Sequence, residues 1–209
     1  MKTLSRLFSL SIVLIFLFSC AKARVEIPVY EGIDVRDVLS SKNNISAIDA
    51  TFSITFIRDD TEMKGEGVLN VYRNGDLNLR VYSFGFLALE VVSENGVIKS
   101  KPRLDSSKGR ILTKGLRDCL FWWDIKDFEL GEEDNTYLLK NLTREIWLDR
   151  KTILPIKQRV SLEDGRELNI SYEDVEKIRD VWYPSTIKID LSKYSVTLKI
   201  KEISFISAV

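Results

Sequence analysis

Few side chains in this sequence could do covalent or acid–base chemistry. There are two thiols, Cys20 and Cys119, and no histidine. Without imidazole there is no His general base, no His metal ligand and no Ser-His-Asp arrangement. Carboxylates come in short runs, Asp59-Asp60, Glu132-Glu133-Asp134 and Glu163-Asp164. Each run reads as a solvated turn or charged tip and not as a paired acid and base. Glycine-rich phosphate loops and nucleophile elbows are lacking as well. The expectation is therefore a binding protein and not an enzyme, with no catalytic residue, metal ligand or cofactor. Cys119 has the apolar neighbours Leu116, Leu120, Phe121 and Trp122, which favour a buried filler over a reactive thiol.

Cys20 has a different setting. Lys2 and Arg6 precede an apolar stretch, Leu7 to Phe18, broken only by Ser9 and Ser11. Twelve residues are too few to cross a hydrocarbon core of roughly 30 Å comfortably. The stretch ends in Leu17-Phe18-Ser19-Cys20, which resembles the lipobox of bacterial lipoproteins. That resemblance implies diacylglyceration of the Cys20 thiol, cleavage after Ser19 and acylation of the new amine by a fatty acid such as palmitate. The expected organisation is a signal peptide over 1–19, a lipidated Cys and tether over 20–32, and one domain over 33–209. Losing residues 1–19 removes two cations and no acid, leaving a formal charge of −2. Such a balance does not suit nucleic acid, which needs clustered excess Lys and Arg.

From Ile48 onwards the hydrophobic period is two: Ala50, Phe52, Ile54 and Phe56 alternate with Thr51, Ser53 and Thr55. Asn74-Gly75 and Asn95-Gly96 are hairpin turn signals, and Gly65-Glu66-Gly67 opens the expected next strand. Repetition of this pattern to the end of the chain predicts ten or eleven short antiparallel strands in a meander. Asp34 is a candidate N-cap for a short helix near 34–44. Residues 104–123 interrupt the sheet with Leu112, Leu116, Cys119 or Leu120, and Trp123 at helical spacing. A helix with that apolar face fits the concave side of a curved sheet as a plug or lid; packing on a flat outer face is the alternative.

These pieces together resemble a family. A lipobox, a helix, a strand set with Gly-x-Gly-hydrophobic, RVYSFGFLALEVVSENG, GLRDCLFWW, and a tail ending in WYPSTIKIDL and YSVTLKIKEISF are similar to the LolA/LolB superfamily. LolB-type outer-membrane lipoprotein receptors are the nearer branch, although Cys119 stands where the family's Leu-Arg-x-Trp helix motif has Trp. The resemblance implies a mainly β fold: an unclosed antiparallel barrel of about eleven strands, with helices plugging the concave side. It also implies a cavity for acyl chains and a protruding hydrophobic loop that passes cargo to the membrane.

Carried onto this sequence, the loop is Phe84, Gly85, Phe86 and Leu87. A bulge within one strand, with both Phe side chains in the core, has the same sequence signature. Cavity candidates are Phe52, Ile54, Phe56, Leu69, Val71, Leu79, Leu89, Val91, Leu116, Leu120, Trp123, Trp147 and Trp182; a solid core would use the same residue types. The implied role is a lipid-anchored protein on the periplasmic face of the outer membrane. It would bind lipoprotein acyl chains or another lipid and aid their insertion, with a periplasmic carrier of LolA type as a candidate donor. The alternatives are a lipid-sensing or scaffolding lipoprotein and a purely structural lipoprotein with a filled barrel.

Overall fold

The computed structural model describes residues 32–208 together with Ile27, Val29 and Tyr30. The expected signal peptide and Cys20 lie outside the described residues. The chain forms helix α1 (Val35–Ser40), strands β1 (Ile45–Arg58), β2 (Thr61–Tyr72), β3 (Leu77–Ser83), β4 (Phe86–Glu94) and β5 (Val97–Lys101), and helix α2 (Ser106–Leu120). Strands β6 (Glu129–Glu133), β7 (Thr136–Lys140), β8 (Arg144–Asp149), β9 (Pro155–Ser161), β10 (Glu167–Ile178), β11 (Val181–Leu191) and β12 (Tyr194–Ser207) follow. All twelve belong to one antiparallel sheet in the order β5-β4-β3-β2-β1-β12-β11-β10-β9-β8-β7-β6. The count is one above the sequence expectation, and β5 and β6 do not pair, so the barrel is open.

Every sheet neighbour is a sequence neighbour except one pair: β1 lies against β12. The free edges flank the segment that contains α2, so the helix is itself the connection across the seam. Asp34 caps α1, its carboxylate accepting from the Arg36 amide at 2.8 Å, and Asp105 caps α2 through the Lys108 amide at 2.8 Å. The helix stops at Leu120, short of Trp123.

The period-two pattern holds along β1, β2 and β9, whereas Trp182 to Ile187 of β11 are all buried. On β1, Ile48, Ala50 and Phe52 are buried on the concave face, while Ile54 and Phe56 further along are half-buried. Gly65 and Gly67 do not open β2, as the sequence suggested, but lie inside it. Gly67 pairs with Phe52, and a Cβ at Gly67 would stand 2.2 Å from the Phe52 ring. The missing side chain lets that ring lie flat across the neighbouring strand.

Helix α2 presses into the concave face in the same way. A Cβ on Gly109 would meet Ile98 of β5 at 3.2 Å, and one on Gly115 would meet Leu168 of β10 at 3.3 Å. The two glycines thus seat the helix between strands near opposite sides of the seam. Its buried residues are Gly109, Thr113, Gly115, Leu116, Asp118, Cys119 and Leu120, and its apolar face lies on the inside of the sheet and not on its outer surface.

The Gly67 contact yields a test. Gly67→Ala forces the Phe52 ring out of its place and should destabilise the fold by about 1–3 kcal/mol, read by urea denaturation. Combining it with Phe52→Leu should cost less than the sum of the two single changes.

Candidate functional site

Six of the hairpins turn in two residues, and their first turn residues all have left-handed backbone: Asp59 (φ +52°), Phe84 (φ +51°), Asn95 (φ +51°), Asp134 (φ +48°), Arg179 (φ +52°) and Ser192 (φ +52°). Five are polar, as expected where the backbone is strained and water is near. The sixth is Phe84. With Gly85 at φ +81° it makes the β3–β4 connection a turn with both central residues left-handed. Phe84 is 97% exposed and Phe86 78%, with Leu87 at 44%. SFGF is therefore a hairpin tip and not a bulge inside one strand. The tip also projects: β5 pairs with β4 only from Glu90 to Glu94, so Phe86 to Leu89 extend past the edge strand. Met63 and Ile57 add exposed apolar surface on the neighbouring β1–β2 hairpin.

Beneath this end, the concave face is apolar but incompletely covered. Ile54, Phe56, Val81, Leu89, Ile189, Leu191 and Val196 are half-buried. Register aligns several of them, with Phe56 opposite Val196 and Val196 opposite Ile189. Phe56 stacks on Tyr194 with ring centroids 6.0 Å apart. Between α2 and the β9–β10 hairpin runs a shallow cleft of about 200 Å³, with Ile111 and Leu162 among polar Ser107, Arg110, Lys114, Glu163 and Asp164.

At the other end the concave side is solid. Phe52, Leu69, Val71, Leu79, Val91, Leu116, Leu120 and Trp123 are all buried in one cluster. The run after α2 fills the centre: Trp122 meets Trp123 edge-on with ring centroids 5.5 Å apart, Trp123 lies on Phe205 with centroids 6.3 Å apart, and Phe205 on Tyr183 with centroids 6.0 Å apart. Trp182 is buried in the same cluster, with the Lys177 ammonium 5.4 Å from its ring. Trp147 departs from the sequence expectation. It alternates with the inward-facing Ile146 and Leu148, so it stands on the convex face under Lys157, whose Nζ lies 4.1 Å from its ring centroid. Its indole donates to Glu133 at 2.8 Å. The cause is the strand period: one position along β8 reverses the side, and apolarity alone does not reveal which side is inside.

A polar cluster locks α2 in place, and sequence reading missed it. Arg144 is 6% exposed and donates to the carbonyls of Asp118 (3.2 Å), Trp122 (3.2 Å) and Asp124 (3.1 Å) and to Gln158 Oε1 (3.1 Å). Those carbonyls belong to the orphaned C-terminal end of α2 and the turn behind it. Burial pulls the Arg144 guanidinium below its ordinary pKa, while the neighbouring Asp118 carboxylate acts the other way. Tyr172 donates from its hydroxyl to Cys119 O or Gln158 Oε1, each at 3.2 Å. Arg117 reaches the opposite wall, donating to Arg73 O at 3.0 Å and pairing with Asp118 and Asp124. The available signal was parity: Arg144 shares its strand face with Ile146 and Leu148. Cys119 is fully buried, and burial pushes its thiol pKa up, which keeps it protonated. Lys42 is pulled down to about 8 by burial against Trp122 and Trp123.

Among the described residues no helix is long and apolar enough to cross a membrane. No family model matches the chain, and no curated protein does. Solved structures do match. A LolA superfamily protein from Nitrosomonas europaea is 12% identical, covering 85% of this chain and 96% of its own, with a TM-score of 0.54. A DUF1329 family protein from Desulfovibrio piger is 11% identical over 88% of this chain and 95% of its own, with a TM-score of 0.58. The chain thus has the LolA-like open-barrel fold.

The lock and the tip make opposite predictions. Arg144→Met leaves the three carbonyls without their shared donor, while Asp118 keeps its ion pair with Arg117, and should cost about 3–5 kcal/mol in denaturant unfolding. Phe84→Asn places a favoured residue at a left-handed turn position and should hold stability or raise it by up to about 1 kcal/mol.

Proposed function

We propose that this protein is a non-catalytic lipid-handling module, which receives acyl chains of a lipoprotein or another lipid at the open end of its barrel and delivers them to a bilayer. The observation that carries the reading is Phe84, an almost fully exposed aromatic at a turn position where the other five two-residue hairpins place polar side chains. A bare apolar tip is costly in water and favourable at a lipid interface, where a fully buried large side chain gains roughly 1.5–3 kcal/mol. The half-buried apolar strip below the tip gives an acyl chain a place to lie. The LolA-like fold supports the same reading.

In this reading Cys20 carries the lipid anchor and holds the domain at the periplasmic face of the outer membrane. A LolA-type carrier is the donor, and no bond is made or broken. Burial differences drive transfer, since each CH₂ leaving water is worth roughly 0.8 kcal/mol. The cleft of about 200 Å³ is smaller than the roughly 300–1,000 Å³ of typical ligand pockets. Deep binding of a chain therefore requires α2 to shift at its N-terminal half, away from the Arg144 lock.

The packed concave face favours a second reading, a structural lipoprotein with a filled barrel. Organic extraction of the purified protein followed by mass spectrometry separates the two. Acyl lipid recovered in proportion to protein supports the lipid-handling reading, and none supports the filled barrel. Phe84→Glu should leave the melting transition in place and abolish hand-over of lipid to acceptor vesicles. Hand-over at the wild-type rate would remove Phe84 from the mechanism.

A further inference from the structure

Formal charge over the whole chain is zero, yet it is not evenly spread. Residues 99–114 carry six cations, Lys99, Lys101, Arg103, Lys108, Arg110 and Lys114, against one carboxylate, Asp105. All six are exposed. Lys108 is paired with Asp105 at 2.7 Å. The other five have no carboxylate within ion-pair distance among the described residues, although Arg80, Arg159, Arg166 and Lys201 elsewhere on the surface all do. The segment runs up edge strand β5, over the open end and into α2. Lys101 lies opposite Glu90, the position from which Phe86 to Leu89 project beyond the edge. Unpaired cations and bare aromatics therefore share one corner of the barrel.

The acids around that corner are mostly paired: on the neighbouring β1–β2 hairpin Asp59 meets Arg58 and Lys193 and Glu62 meets Lys64, which leaves Asp60. Glu90 is held by Arg80 at 2.9 Å, Asp164 is held by Arg166, and Glu163 stands across the cleft. The compensating negative charge lies on the other side of the seam. Residues 127–134 hold Asp127, Glu129, Glu132, Glu133 and Asp134 and no cation, and among the described residues only Glu132 of these is ion-paired, with Arg150 at 3.0 Å.

We propose that the basic segment 99–114 and the Phe84 hairpin together form a docking face for an anionic phospholipid bilayer. The inference rests on the reading of Phe84 as a membrane-facing tip and adds the chemistry of the surface it meets. Cations near an anionic leaflet are drawn to it within about a Debye length, roughly 10 Å at 0.1 M salt. Each is worth on the order of fivefold in partitioning. The attraction brings the basic corner to the headgroups, the acidic edge β6 is repelled, and the hairpin arrives pointing at the bilayer.

The test uses the chain from Ala21 onward, which has no acyl group and keeps every helix, strand and hydrogen bond described above. It is sedimented with vesicles of phosphatidylcholine, and with vesicles in which part of that lipid is phosphatidylglycerol. Binding should be at least about tenfold tighter to the anionic vesicles and should weaken towards the neutral value as salt rises to about 1 M, where the screening length falls to roughly 3 Å. Joint replacement Lys99→Gln, Lys101→Gln, Arg110→Gln and Lys114→Gln should abolish the preference with the melting transition unchanged.

Equal binding to both vesicles, with Phe84→Glu still reducing it, overturns the electrostatic inference and leaves the hairpin reading standing. Binding to neither vesicle overturns both. Salt-sensitive self-association without vesicles, the basic β5 edge of one copy meeting the acidic β6 edge of another, would also overturn it.

Discussion

A curved sheet of twelve strands that fails to close has a concave face it must cover, and the rest of this structure follows from how that is done. One helix of fifteen residues, Ser106–Leu120, is laid across that face. Its own glycines set the depth, and the aromatic run behind it fills the centre. The buried guanidinium of Arg144 ties down the backbone where the helix ends. The cover is therefore fixed at one end and ends in half-buried apolar side chains at the other. Stability and candidate function are divided along the same axis: the C-terminal half of α2 is held by charge-assisted bonds, and the N-terminal half rests on apolar contact beside an open cleft.

Much of this was legible in the sequence because the hydrophobic period is clear. The alternation around Phe52, the Asn-Gly turns and the apolar face at Leu116 and Leu120 gave a mainly β chain with one interrupting helix. The Phe84 tip was only half legible. Two Phe flanking a Gly can be core or turn, and the choice depends on strand pairing that only the fold supplies. Gly67 read as a strand opener because its reason for being small, the Phe52 ring, is supplied by the neighbouring strand. Trp147 read as interior because a large aromatic usually is, yet the cationic side chains of Lys157 and Arg159 cover it on the outside.

The convex placement of Trp147 and the interior placement of Arg144 form a complementary pair. On β8 an aromatic faces outward under lysine and arginine stems, and a cation faces inward among carbonyls. Neither breaks a physical rule. Long cationic chains shield a ring from water with their methylenes, and a buried guanidinium is tolerated where its donors meet oxygen. Hydrophobicity assigns a residue to a side only on average, and here partners decide.

The pairing of β1 with β12 has a consequence for how the protein is made. Ser46 donates from its hydroxyl to the carbonyl of Ile206, 160 residues further along. All other strand pairs can zip as the chain lengthens, since each partner follows directly in sequence. On a chain synthesised from its N-terminus, β1 to β5 would stand with one edge of β1 bare until β12 emerges. Such an edge is a template for mispairing, and long-range closure is slow. Maturation thus has a vulnerable step, when the fourteen-residue strand β12 joins the two halves of the sheet into one.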